Sequence, residues 1–153
     1  MNFLPVQSSL PPYAIDGNEQ EPNWLCYSWI SFEKFLSSQW CCGFAYDWVT
    51  DEDISKAAPA STVELAQDWQ DVWEEDGNNT WQEFHAARIK GLVNLLCDGT
   101  GVKPVDLDLL NDSLSSIPDG HHRIRAFQFL KSPVFPAYAQ GLTDEIDKVL
   151  YRE

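Results

Sequence analysis

Ser116-Ile117-Pro118-Asp119-Gly120-His121-His122-Arg123-Ile124-Arg125-Ala126-Phe127 is where the chain turns from short extended segments into a helix. Ile117 closes an apolar segment and Asp119-Gly120 is a turn dipeptide. Ile124, Phe127 and Leu130 then recur every three residues, the spacing of one helix face. The stretch predicts a strand end, a tight glycine turn and a helix over 121–131, with Asp119 as its N-cap and Ser132-Pro133 as its stop. Such a turn leaves the first backbone N–H groups of the helix without intrahelical partners, at the positive end of the helix dipole. Arg123 and Arg125 add fixed positive charge there. A phosphate suits that place, and a plain structural turn with a surface arginine is the simpler alternative.

Upstream, Lys103-Pro104-Val105-Asp106-Leu107-Asp108-Leu109 alternates with period two, as a half-buried strand does. Asn111-Asp112 turns the chain and Ser113–Ile117 reads as a second short strand. Thr80-Trp81-Gln82-Glu83 is a capping box opening a helix over 81–97, stopped by Asp98-Gly99. Ser61-Thr62-Val63-Glu64 is another, opening a helix over 62–75. Thr50-Asp51-Glu52-Asp53 starts a helix that Pro59 ends. Trp40–Val49 is either the second strand of a hairpin or a packed loop. Ser31 caps a short helix over 32–38, residues 24–30 form a strand, and the proline-rich residues 1–23 read as an extended arm with a short strand at Tyr13-Ala14-Ile15. Downstream, Val134–Ala139 is a strand placed at a sheet edge because of Pro136, and Thr143 caps a final helix running through Ile146, Val149 and Leu150. The pattern is that of an α+β single domain, a small mixed β-sheet flanked by helices.

With 153 residues, 44% hydrophobic and 13% aromatic, the chain is one domain with a real core and is not a disordered segment. The apolar run at Trp40–Val49 contains Asp47 and is too short to span a membrane. Met1-Asn2-Phe3-Leu4-Pro5 has no basic signal-peptide start. The four cysteines make no Cys-x-x-Cys pair, so a cytoplasmic protein with reduced thiols is expected.

Charge is uneven. Residues 1–87 hold 15 acidic residues and two lysines, and residues 88–153 hold nine acids and eight bases, which together give the net −14. Duplex DNA binding through a broad basic face is therefore not expected. The acidic front half would repel nucleic acid or imitate it. Its run Glu64, Asp68, Asp71, Glu74, Glu75, Asp76 reads first as a solvated helix face. Trp69, Trp73 and Trp81, at helical spacing, read as core. Asp106 and Asp108 read as a solvated strand face. A zinc site is not expected, because His85 is remote from His121 and His122 and no cysteine has ligand spacing.

The succession of helix, Gly-x-Gly break, Pro-Val strand, short strand, Asp-Gly-His-His-Arg, helix and Phe135-Pro136-Ala137-Tyr138 strand resembles the ParB/sulfiredoxin-like superfamily over about residues 81–141. That family's Gly-x-x-Arg-x-x-Ala motif corresponds here to Gly120, Arg123 and Ala126. The resemblance implies an 81–153 core whose motif helix binds nucleotide phosphates, with residues 1–80 as an acidic, tryptophan-rich extension packed on it. Family members include CTP- or ATP-using segregation proteins, sulfiredoxins, a free-serine kinase and plasmid fertility-inhibition proteins with nuclease or ATPase behaviour. Sulfiredoxins need a cysteine where this chain has His121, so thiol repair is not expected. Segregation proteins carry a DNA-binding helical domain after the module, and with the chain ending at Glu153 a full partition function is not expected.

Two functions follow as expectations. In the first the protein binds ATP or CTP with Mg²⁺ and hydrolyses it, transfers its phosphoryl group or cleaves a phosphodiester. Gly120, Arg123 and Arg125 hold the phosphates, Arg125 either supporting them or facing outward. His121, His122 and Asp119 are the catalytic candidates. Either histidine could donate to phosphate or carry a proton near neutral pH, and Asp119 could hold magnesium, orient a histidine or only cap the helix. In the second the protein is a non-enzymatic, phage- or plasmid-type inhibitor whose acidic front half binds a basic protein partner as a nucleic-acid mimic.

Overall fold

A computed structural model describes residues 14–16, 24–41, 48–75, 77, 79–100, 102–109 and 117–151. In chain order the elements are β1 (Ala14–Asp16), β2 (Trp24–Ser31), α1 (Phe32–Leu36), α2 (Asp51–Lys56), α3 (Thr62–Leu65), α4 (Trp69–Glu75), α5 (Trp81–Cys97), β3 (Val105–Leu109), α6 (His121–Phe129), β4 (Val134–Gly141) and α7 (Thr143–Asp147). They form one small α+β domain around a mixed sheet of order β1-β2-β4-β3. β2 is antiparallel to both neighbours and β3 is parallel to β4. Past the three residues of β1 the outer edge of β2 is taken by the chain after α7. Ser31 N–H donates to the Val149 carbonyl at 2.8 Å and Tyr151 N–H to the Trp29 carbonyl at 3.0 Å.

β4 lies in the interior of the sheet, which corrects the edge position expected from Pro136. The register explains how a proline is accommodated. Phe32 N–H donates to the Pro133 carbonyl at 3.0 Å, which phases the β2–β4 ladder so that Trp29 and Pro136 form a non-hydrogen-bonded pair. The nitrogen of Pro136 therefore faces the β3 side, and β3 begins only one residue later, opposite Ala137. No ladder bond is lost.

Ile30, Val105, Leu107, Leu109, Phe135, Ala137 and Ala139 are buried, with α6 packed on β3, β4 and α5. Phe32 and Phe35 of α1 bring their rings to 4.8 and 5.7 Å from that of Phe135. On the opposite face Asp106, Tyr138 and Gln140 are exposed and Asp108 is half-buried, so the solvated strand face expected at Asp106 is present. α5 presents Phe84, His85, Arg88, Ile89, Val93 and Leu96 inward. Thr80 and Glu83 close its capping box, and Ser61–Glu64 and Thr50–Asp53 do the same for α3 and α2.

Several expected elements differ, and the helix expected over 32–38 ends at Leu36. The single helix over 62–75 is two, broken at Ala66–Asp68. Two features meet at the break: the Arg88 guanidinium, whose Nη1 donates to the Glu64 carbonyl at 3.0 Å and Nη2 to the Gln67 carbonyl at 3.2 Å, and Asp68, whose side chain accepts from Gln70 N–H at 2.9 Å and caps the start of α4. The helix expected to reach 131 ends at Phe129, where Lys131 adopts φ 59° and the Lys131 and Ser132 N–H groups bond back to Gln128 and Phe127. That is a Schellman-type stop with lysine in the place glycine usually fills. The last helix has Leu142, not Thr143, at its cap position and stops at Asp147, because Leu150 leaves it to pair with Ile30 of β2. Ile117 is not in a strand; the local pairing is an isolated bridge between Asp106 and Asp119. Residues 113–116 and 42–47 lie outside the described residues. Trp48 and Val49, at the end of the expected hairpin or loop, form a turn and a bend.

Candidate functional site

Two neighbouring groups of side chains answer to the expectations, and they meet at the start of α6. The first is the glycine turn. Gly120 has φ 120° and occupies the cap position of α6, with no side-chain cap. A Cβ there would stand 2.8 Å from Val105 Cγ1, so the position requires glycine for both conformation and packing. Asp119 is not the N-cap. Its carbonyl accepts from Asp106 N–H at 3.0 Å and its carboxylate reaches forward to Arg123 Nη2 at 3.0 Å. The other arm of Arg123, Nη1, donates to the Lys103 and Pro104 carbonyls at 3.1 and 2.6 Å. This guanidinium ties α6 to the chain leading into β3.

Arg125 neither faces outward nor reaches the turn. Its side chain is 6% exposed; Nε and Nη2 both donate to the Val49 carbonyl, and Nη2 lies 2.7 Å from the Asp51 carboxylate. The guanidinium beside it holds the Asp51 carboxyl below its ordinary range, with help from Lys131 and against partial burial. Arg123 and Arg125 thus both close loops onto α6.

The second group is the set of histidines. His85, expected to be remote, lies on the inner face of α5 and stacks on His122, the rings 5.0 Å apart and 23° from parallel. His85 Nδ1 is 2.8 Å from His122 Nε2. One nitrogen must donate and the other accept, so the pair keeps its bond with no extra proton or with one, and breaks it with two. Burial pushes His85 down to about 4, with the Arg88 charge adding to the effect. Burial also pushes His122 well below its ordinary value, with His85 and Arg88 next in weight. His121 is lowered by burial too, opposed by a hydrogen bond to Ile117 and by the Asp119 charge.

Tryptophans wall this pair, and they are not the core residues expected. Trp69 and Trp73 are half-buried and Trp81 is 42% exposed. Ring centroids lie 4.2 Å apart for Trp81–His85, 5.2 Å for Trp69–His85 and 6.3 Å for Trp69–His122, all edge-to-face. Trp48 adds a further edge-to-face contact to His85 at 6.4 Å. The acids of the expected solvated run that are described, Glu64, Asp68, Asp71, Glu74 and Glu75, are exposed. A shallow groove of about 390 Å³ is lined by Gln67, Asp71, Glu74 and Glu75.

Arg88 and Trp48 carry no sequence signal that marks them, and His85 enters the sequence reading only as remote from His121 and His122. His85 was legible in part, one helical turn after Trp81 within a capped helix. Nothing in the sequence pairs it with His122. Among the described residues no group of three or more His, Cys, Asp or Glu side chains is placed to hold a metal ion, and no helix is long and apolar enough to cross a membrane. Chemically, the arrangement offers indoles, partly open to solvent, over a neutral imidazole pair, and the same helix α4 carries exposed carboxylates. That combination attracts cations. No family model, no curated protein and no solved structure matches the chain.

Proposed function

We propose that this protein is a non-enzymatic acidic binding protein whose face, formed by α4 and the first turn of α5, engages a basic protein partner. The observation that carries this reading is the run of exposed acids on α4, Asp71, Glu74 and Glu75, which line a groove of about 390 Å³ with Gln67. The net −13 of residues 1–87, from 15 acids and two lysines, supports it, since such a surface steers a cationic partner. A compact row of carboxylates on a helix is also how a protein would stand in for nucleic acid on a DNA-handling partner.

A second reading keeps the ParB/sulfiredoxin-like expectation, with ATP or CTP and Mg²⁺ at the start of α6. It is favoured by the uncapped glycine start of that nine-residue helix. It requires Arg123 to exchange Asp119 for phosphate. His121, His122 and Asp119 would then stand nearest the reacting groups.

Thermal unfolding with each ligand separates the two. A ligand at about 100 times its Kd stabilises the native state by about 2.7 kcal/mol. The expected result is a rise in Tm with a lysine- and arginine-rich polypeptide that shrinks steeply as salt is added, and none with ATP or CTP plus Mg²⁺. A Tm rise with one nucleotide that Arg123→Ala abolishes, with no response to the basic polypeptide, would replace the first reading by the second.

A further inference from the structure

We propose that residues 61–75, the segment carrying α3 and α4, form a strap over the His85–His122 pair that lifts in acid while the sheet behind it stays folded.

The segment is laid on the domain rather than built into it. No residue of 61–75 belongs to the main hydrophobic core, which α5 enters through Ala86, Ile89, Val93 and Leu96. Val72 is the one buried side chain of α3 and α4. The other ties are few and local. Leu65 and the Ala60 carbonyl close over Gly91, where a Cβ would stand 2.9 Å from Leu65 Cδ1 and 2.8 Å from that oxygen. Arg88 holds the Glu64 and Gln67 carbonyls. Trp73 sets its ring edge-to-face against Trp81 at 5.0 Å and Phe84 at 5.1 Å. A segment with so little of the core behind it opens at a lower free energy than the whole domain.

Trp69 is where the strap meets the histidines. It is the first residue of α4, and its ring lies 5.2 Å from that of His85 and 6.3 Å from that of His122. Lifting it lets water reach the pair, which is joined Nδ1 to Nε2 at 2.8 Å. The closed form disfavours a charge there. Among the described residues, the charged and titratable groups bearing on the pair are Arg88 of α5 and His121 and Arg123 of α6, and each of them resists a proton. His122 also stands in the first turn of α6, at the positive end of that helix. The acids of the strap are exposed, with Glu64 bonded to Ser61 and Asp68 to Gln70 N–H. A second proton breaks the bond between the rings, and water in the open form solvates both charges. The open form therefore takes up protons that the closed form refuses, and opening is favoured as pH falls.

The test is hydrogen exchange of the full chain at pH 7, 6, 5 and 4, read by mass spectrometry as protection factors for α4 and for β4. For His85 alone, an ordinary value of 6.5 in the open form against about 4 in the closed one lowers the protection of α4 about a hundredfold between pH 7 and pH 4. The expected result is an α4 that starts below β4 in protection, falls by at least that factor, and exchanges fully while β4 is still protected. The double substitution His85→Phe with His122→Phe keeps two rings for the tryptophans to pack on and leaves no imidazole in the pair to protonate, so α4 should lose less than tenfold. His85→Phe alone should keep only the part of the fall that belongs to His122. Equal protection of α4 and β4 at every pH, an α4 already unprotected at pH 7, or an α4 level from pH 7 to pH 4 would each overturn the strap in wild type alone. A fall of wild-type size in a substituted chain whose β4 is protected would overturn the histidines as its trigger.

Discussion

At the scale of single residues, the His85–His122 pair makes the most specific demand on conditions. Its ordinary pKa of 6.5 is pushed down to about 4 for His85 in the folded chain, by burial and then by Arg88. Between those values the unfolded chain binds a proton that the folded chain does not. The stabilisation is therefore complete above about pH 6.5 and is lost as pH falls toward about 4, at roughly 1.4 kcal/mol per pH unit for His85 alone. His122 shifts in the same direction and steepens the loss. Urea unfolding at a series of pH values should show this slope, and His85→Phe should flatten it. A wild-type profile level from about pH 7 to about pH 5 would mean that the pair is not held neutral. Arg123 and Arg125 make a complementary point. Both were visible in the sequence as charges beside a glycine turn, and neither partner set was, because carbonyl acceptors such as those of Pro104 and Val49 have no sequence signature.

At the scale of elements, the break between α3 and α4 is held both by Arg88 of α5, from outside, and by the local cap at Asp68. Replacing Arg88 with methionine keeps the bulk of the stem and removes both donors to the Glu64 and Gln67 carbonyls. The expected cost is about 2–4 kcal/mol, by the usual size of charge-assisted buried hydrogen bonds, read as a lower denaturation midpoint at unchanged m-value. Arg88→Lys, able to reach one carbonyl but not to fork, should lose less; equal losses would assign the effect to packing. The same comparison shows what sequence could supply. Helix starts were readable wherever a cap is local: Thr80–Glu83 placed α5 over its full length, and Ser61–Glu64 placed the start of α3. The break was only half readable: Asp68 caps α4 locally, while the Arg88 donors to the carbonyls at the end of α3 come from a residue 24 positions away. Pro136 misled for a related reason. A proline excludes itself only from ladder positions that need its N–H, and the phase of the ladder is fixed by Phe32 and Pro133 rather than by the strand itself.

At the scale of the molecule, the change in composition near residue 80 is not a seam in the sheet. β2 comes from the acidic front part and β4 from the near-neutral back part, and they lie side by side over eight residues. The paired residues are more than a hundred positions apart in sequence. For a chain synthesised from its N-terminus this has a direct cost in time. When β2 leaves the ribosome its long-range partner β4 has not been made, and only the three residues of β1 are there to pair with it while α1 through α6 are translated. The central pairing can form only after Gly141 has cleared the exit tunnel, so this domain closes late and all at once, as high contact order dictates. A fragment ending at Lys131, which lacks β4, should be digested by protease as fast as an unfolded chain, whereas the full chain resists. Comparable resistance in the fragment would show that the helices around α5 hold together before the sheet exists. The charge on the front part has a second reading in this light: the half of the chain that waits longest is also the half whose like charges keep nascent chains apart.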